Sequence, residues 1–439
     1  MKINVIGAGL AGCEAAWQIA KRNIPVTLYD MKPVKFSPAH KSKDFAELVC
    51  SNSFKAARVD SAAGLLKEEL RRCDSFLMMC ADKSKVPAGG ALAVDRDAFS
   101  RLVTQYIEDH PLITIRREEV KYLDSDSINV ISTGPLTSDS FAEYISELCG
   151  DMLSFYDAAA PIVTRESIDM RFAFEASRYG KGNSADYLNC PMEKDEYETF
   201  YTQLRNAQRA KLHEFDKVYE GCMPIEIMAM RGEDTMRFGP MKPVGIYDPV
   251  TGKRPWAILQ MRKENVDGTL YNLVGCQTNL TFSEQKRVFG LIPALHSAEF
   301  VRYGVMHRNT FIDSPKLLDA TYAMRQHEKI FFAGQITGVE GYMESTSSGL
   351  VAGINAVRLY REETPIVFPK ETMIGALSLY VSQSQSEDFQ PMGANFGIIP
   401  SLEEKVRDKR ERYAKLAERS LKLINDMKDS LLKCDNLFR

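Results

Sequence analysis

Residues 2–30, KINVIGAGLAGCEAAWQIAKRNIPVTLYD, constrain the fold more than any other stretch. The pattern predicts a strand over Lys2–Ile6, a glycine turn, a helix over Ala11–Arg22 and a second strand over Val26–Tyr29 that ends at Asp30. Gly7, Gly9 and Gly12 stand in GxGxxG spacing, with Ala8, Leu10 and Ala11 completing the loop. Between a strand and a helix the three glycines have separate tasks. The first makes the tight turn, the second lets backbone approach a pyrophosphate, and the third lets the helix pack closely on the strand. The helix N-terminus then faces the phosphate charge. Asp30, eighteen residues after Gly12, is placed to bind ribose hydroxyls. Ala15, Ala16 and Ile19 form the face of the helix turned to the sheet. The segment LAGC also resembles a lipoprotein cleavage site. Only Lys2 supplies a positive charge ahead of it, so the glycine turn is the better reading.

A second nucleotide-type pattern lies far along the chain. KIFFAGQITGVEGYMESTSSGLVAGINAVRLY predicts a strand ending at Ala333–Gly334, a turn through Gln335, Gly338 and Gly341, and a helix of small residues from about Ser345. Its backbone N–H groups would face another part of the same ligand. Two such pieces in one chain suggest FAD more than NAD. INVISTGP, with its Thr133–Gly134 turn, predicts another strand of this sheet. The fold expected is α/β, a Rossmann-like FAD-binding domain of the glutathione-reductase type carrying an inserted α+β domain. Its parts are 1–150 and 326–400 for the FAD-binding domain, 151–325 for the insertion and 401–439 for a C-terminal amphipathic helix. In that helix an apolar stripe from Tyr413 to Leu431 is interrupted by Ser420. DFAELVCSNSFKAARVDSAAGLLKEELRRCDS predicts a helical region broken near Ser51–Ser53. A helix is expected over Glu196–Lys211, and WAILQM and TLYNLVGCQTNLTF read as strands.

Composition narrows the function. Net charge is −3 over 439 residues, so a nucleic-acid partner would have to be bound by a local patch. The insertion supplies candidates: Arg205, Arg209, Lys211, Arg231, Arg237, Lys242, Lys253, Arg254, Arg262 and Lys263. The nine cysteines are irregularly spaced and contain no CxxC pair, which indicates neither a zinc site nor a disulfide framework and fits a cytoplasmic setting. No apolar run reaches the length of a membrane span. One cysteine stands apart: Cys222, in YEGCMPIE, lies between a glycine and a Met-Pro pair.

These motifs, with FAELVCSNSF, VPAGGALAVDR, STGPLTS, EGCMPIEIMA, VRYGVMHRNTFI, FFAGQITGVEGYMES and ANFG, resemble the folate- and FAD-dependent tRNA (uracil-5-)-methyltransferases of bacteria. The resemblance runs from the first strand to about Gly397. It implies an enzyme that places a methyl group on C5 of a uridine in the T-loop of tRNA. Methylenetetrahydrofolate would supply the carbon, reduced FAD the electrons, and NADPH or NADH would reduce the flavin. The family's two functional cysteines fall on VCSNS and EGCMP, which implies Cys222 as nucleophile and Cys50 as base or partner thiol. Tyr342 matches a tyrosine placed against the flavin, and His307 is a candidate to stack on the folate pterin. No metal and no membrane are implied.

The chemistry asks for these groups. C5 of uracil is a poor nucleophile until a thiolate adds to C6, and a base must later remove the C5 proton. The base must also leave its stack. Four other readings share parts of the pattern: the same chemistry on ribosomal RNA, a longer flavoprotein that modifies wobble uridine, a flavin oxidoreductase of small molecules, and a non-catalytic RNA-binding flavoprotein, which the intact Cys50 and Cys222 contexts disfavour. The single tail helix disfavours the wobble-uridine class.

Overall fold

The computed structural model describes residues 1–150, 153–180, 186–210, 223–265, 267–304, 306–384 and 389–432. A six-stranded sheet runs in the order 323–324, 327–332, 128–131, 3–6, 26–29, 113–116. Its last five strands are parallel, and only Ala323–Met324 pairs antiparallel. The two central strands both read INVI and are buried throughout. Near-continuous apolar strands of this kind belong in a parallel sheet covered on both faces. The one polar residue of each, Asn4 and Asn129, pairs with the other across the ladder at 3.4 Å.

The opening helix spans Leu10–Ala20, and the long helix of small residues spans Tyr342–Tyr360, three residues earlier than expected. The two pack backbone to backbone. A Cβ at Gly349 would lie 2.2 Å from the Ala11 carbonyl oxygen, and one at Gly353 2.8 Å from that of Ala15. Ala15, Ala16 and Ile19 are fully buried.

A second six-stranded sheet, antiparallel throughout, runs in the order 174–175, 187–192, 257–263, 270–273, 162–164, 300–302 and has its own apolar core. The paired strands Leu153–Ala158 and Met306–Phe311 carry the chain out of the first sheet and back to it. The helix expected over Glu196–Lys211 is Lys194–Arg205, opened by a capping box between Glu193 and Glu196.

Two expectations need correction. Residues 44–52 are irregular rather than helical, and Ser53–Ala56 is a strand paired with Ala91–Val94. The segment is held by tertiary hydrogen bonds: Phe45 N–H to Thr104 Oγ1 at 2.8 Å, Ala46 N–H to Ala8 O at 2.9 Å, and Arg96 Nη1 to Leu48 O at 2.5 Å. Arg262, counted among the surface bases, is buried at 5% exposure.

The tail helix, Lys409–Leu432, buries Leu416, Ala417 and Ile424. Ser420 breaks the apolar stripe for a reason. Its hydroxyl donates to the buried Glu69, whose carboxylate also accepts the N–H groups of Met373 at 2.7 Å and Ile374 at 2.8 Å. Burial pushes the Glu69 carboxyl from 4.5 up to about 7, against those three donors. The folded state therefore keeps a proton that the unfolded chain has lost. Glu69's contribution to stability is full below about pH 4.5 and falls by up to about 3 kcal/mol as pH rises to about 7. Denaturant unfolding at pH 5 and pH 7.5 should show a larger loss in the wild type than in Glu69→Gln. Equal losses would contradict the assignment.

Candidate active site

A groove of about 1100 Å³ opens at the carboxyl ends of the parallel strands. Gly7 through Ala11, Asp30, Gly334, Gln335 and Tyr342 all line it, so the structure gathers residues 335 positions apart at one place. Gly7 turns with φ +100°, and its N–H donates to Tyr29 O at 2.8 Å. Gly12 sits behind the turn, where a Cβ would come within 1.8 Å of the Gly7 carbonyl oxygen. A Cβ at Gly9 would meet no protein atom within 4 Å, and the same holds at Gly134 across the groove. Both positions thus leave a cradle that a side chain would fill. Ser132, which the sequence reading did not single out, fixes the turn by donating to the Ile6 and Gly7 carbonyl oxygens at 2.9 Å.

Asp30 ends the second strand. Its carboxylate accepts the Lys32 N–H at 2.7 Å, and burial raises its pKa, partly offset by Lys32. Cys13 packs beneath the loop, with its thiol directed at the Ala8 carbonyl oxygen and pushed well up by burial. Cys80 and Cys149 are likewise pushed up to about 12 by burial, as expected of inert thiols.

A second cavity of about 990 Å³ shares Val49, Pro135, Leu136, Gln335 and Tyr342 with the groove. Its far side carries Cys50, Phe54 and Glu344. Tyr342 therefore stands in the wall between the two. Its hydroxyl lies 3.1 Å from Cys50 Sγ and accepts the N–H groups of Cys50 at 2.9 Å and Ser51 at 3.3 Å. Burial, and then Cys50, push this phenol well above its ordinary value, so it stays protonated. The edge of its ring meets Phe54, with centroids 5.8 Å apart. At the polar end of the cavity, Glu344 pairs with Lys55 at 3.2 Å.

Three arginines from distant elements hold the Cys50 segment. Arg96 donates to Leu48 O, Arg302 to Val49 O, and Arg262 to Asn52 Oδ1 at 2.7 Å and Ser51 Oγ at 3.0 Å. Asn52 in turn donates to Val94 O and Lys263 O, both at 2.9 Å. Arg96 is further paired with the buried Glu264 at 3.1 Å. Arg96 and Arg302 fell within the motifs VPAGGALAVDR and VRYGVMHRNTFI without a role of their own, and Arg262 was counted as a candidate for a nucleic-acid patch.

His307 lies on the strand Met306–Phe311, two residues before Asn309, which lines the second cavity. The His307 side chain is outside the described structure, and Cys222 and Lys211 lie outside the described residues. The geometry therefore unites Cys50 with Tyr342 and the glycine turns, and leaves Cys222 to the sequence. Among the described residues no helix is long and apolar enough to cross a membrane.

A glycine-turn groove at the carboxyl ends of a parallel sheet, completed by a second glycine turn before a long helix, defines a Rossmann-type FAD-binding fold with an inserted domain. The comparisons agree. Two crystal forms of Aquifex aeolicus GidA superpose with a TM-score of 0.69 at 14–15% identity, over 98% of this chain and 75–78% of theirs. Residues 2–364 match the family described as Glucose inhibited division protein A. Much nearer relatives share the whole length. The "Methylenetetrahydrofolate--tRNA-(uracil-5-)-methyltransferase TrmFO" of Acetivibrio thermocellus is 59% identical over 97% of this chain and 98% of its own. That of Enterococcus faecalis is 55% identical over 96% and 97%. The chain belongs to this family of folate-dependent tRNA (uracil-5-)-methyltransferases.

Proposed function

We propose that the chain methylates C5 of a uridine in the T-loop of tRNA, in the cytoplasm, with methylenetetrahydrofolate as carbon donor and NADPH or NADH as electron source. The observation that carries this reading is the position of Cys50. Its sulfur lies 3.1 Å from the Tyr342 hydroxyl, in a cavity that shares a wall with the dinucleotide groove.

The groove fits FAD. The open positions at Gly9 and Gly134 suit a pyrophosphate approached by backbone, Asp30 suits a ribose, and Gly334 and Gln335 close the opposite side. When bound and reduced, FAD supplies the two electrons that take the one-carbon unit from the methylene to the methyl level.

The chain's own groups divide the remaining work. The Cys222 thiolate adds to uracil C6, and the electron pair of the C5–C6 double bond becomes available at C5. C5 then bonds to the one-carbon unit, and Cys50 removes the C5 proton as the bond from that carbon to the folate nitrogen breaks and tetrahydrofolate leaves. The two electrons and a proton that the flavin would supply convert the resulting methylene on C5 to methyl as the C6–sulfur bond breaks and the ring double bond re-forms. Arg96, Arg262 and Arg302 fix the Cys50 segment, and Arg96 places a positive charge within electrostatic reach of the thiol, the kind of neighbour that makes a cysteine reactive. Tyr342 covers the passage between groove and cavity, and His307 is assigned to the pterin.

The test is direct. Purified protein, unmodified tRNA, NADPH and methylene-labelled methylenetetrahydrofolate should yield labelled 5-methyluridine, located by nuclease digestion and mass spectrometry in the T-loop. Label at another uridine of tRNA, or label in unmodified ribosomal RNA in a parallel reaction with none in tRNA, would overturn the substrate assignment.

A further inference from the structure

The strand Ala257–Lys263 connects two very different places. At its carboxyl end Arg262 and Lys263 hold Asn52 beside Cys50. At its amino end lies Trp256, with the Arg237 guanidinium stacked on its ring at 3.9 Å. Six residue steps separate Trp256 from Arg262, so the two ends are about 20 Å apart.

Around the amino end the surface is aromatic and basic. Phe238 is 73% exposed and Tyr247 57%. Arg254 sits against Tyr247, with its guanidinium 5.7 Å from the ring centre and 3.4 Å from the hydroxyl. The segment that presents these side chains is built firmly. Asp248 caps a turn by accepting the N–H groups of Val250 and Thr251, and Arg178 reaches the carbonyl oxygens of Lys242 and Val244. Residues 231–256 carry five basic groups against three acidic ones, in a chain whose net charge is −3. One of the three acids, Asp234, is already paired with Arg237 at 2.7 Å.

We infer that this face is a second RNA contact, which grips the substrate beyond the amino end of the strand, whose length from Trp256 to Arg262 is about 20 Å. The inference rests on the tRNA reading above and adds where the RNA body lies. Exposed aromatic rings beside guanidinium and ammonium groups suit an RNA partner, because rings stack on unpaired bases while the cations meet phosphates. An acidic protein surface would meet the charge but would offer no unpaired bases for the exposed rings. With the target loop at Cys50, a stem running along the strand direction brings its far end to Tyr247 and Arg254.

The experiment compares two RNAs and two variants. One RNA is full-length tRNA. The other is a hairpin of the target loop on about four base pairs, which at no more than ~3.4 Å per pair falls short of the distant face. The variants are Phe238→Ser/Tyr247→Ser and Lys253→Glu/Arg254→Glu. Both should retain wild-type FAD content and wild-type binding and methylation of the hairpin. Both should bind full-length tRNA at least tenfold more weakly. The charge-reversed variant should also lose about two units from the slope of log affinity against log salt. Unchanged tRNA affinity would overturn the inference and leave the face to a protein partner. Equal losses on both RNAs would overturn it too, since the effect would then lie at the active site or in the fold. Wild-type protein that binds neither RNA would sink the tRNA reading itself, a result recognisably different from either.

Discussion

Cys222→Ala is expected to retain FAD and bind tRNA yet form no 5-methyluridine and no covalent complex with RNA containing 5-fluorouridine. That trap requires a thiolate on C6 followed by a proton removal that fluorine blocks. Cys50→Ala should behave differently. Losing a base costs on the order of 10²–10⁴-fold in turnover, but the earlier addition at C6 needs only the nucleophile. Its trapped complex should therefore persist or accumulate. Gel-shift analysis of the two variants with fluorinated RNA distinguishes them. The reverse pattern, with trapping lost in Cys50→Ala and kept in Cys222→Ala, would exchange the two roles. Full activity in both would remove the covalent mechanism.

The second large effect concerns the glycine turn, where two neighbouring substitutions should fail in opposite ways. A Cβ at Gly9 meets no protein atom within 4 Å, and the residue has an ordinary extended φ of −75°. Gly9→Val should fold with near wild-type stability, but its side chain fills the space that a pyrophosphate needs, so flavin content should drop severalfold or more. A Cβ at Gly12 would press on the Gly7 carbonyl oxygen at 1.8 Å and on Ser132 Oγ at 2.5 Å. Gly12→Ala should therefore lose stability, by about 1–3 kcal/mol or more, along with flavin. Thermal unfolding of the apoproteins and flavin absorbance of the purified proteins separate the cases. A Gly9→Val protein that is fully yellow would show that the groove is not where FAD lies.

The contrast between these glycines shows which parts of the molecule were readable from residues alone. The Lys2–Asp30 unit is local: strand, turn, helix and acid lie within thirty residues, and each demands a particular residue type at a particular spacing. The second glycine turn was legible for the same reason, although its helix begins three residues before the expected start. The Cys50 segment was not. Its Phe45, Leu48 and Val49 suggested a helix, but its conformation is set by Thr104, Ala8 and three arginines at positions 96, 262 and 302. Nothing in hydrophobic spacing reports a hydrogen bond across two hundred residues. Ser420 was visible as a break in the tail helix, and its reason, a bond to Glu69 in a helix 351 residues earlier, was not. Tyr342 was noticed through resemblance to a family, whereas its contact with Cys50 came from the fold.

The central claim is that the groove and the Cys50 cavity act together, so that the methyl group's carbon comes from folate and its extra electrons come through the flavin. Carbon at the methylene level needs two electrons to become methyl. They are drawn either from the pyridine nucleotide or from the tetrahydrofolate ring itself, and the folate product records which. The decisive measurement is the folate recovered from a reaction with tRNA, NADPH and labelled methylenetetrahydrofolate. The account predicts tetrahydrofolate, with one NADPH consumed for each 5-methyluridine formed. Dihydrofolate in equal amount to the methyl groups, with NADPH untouched, would contradict it.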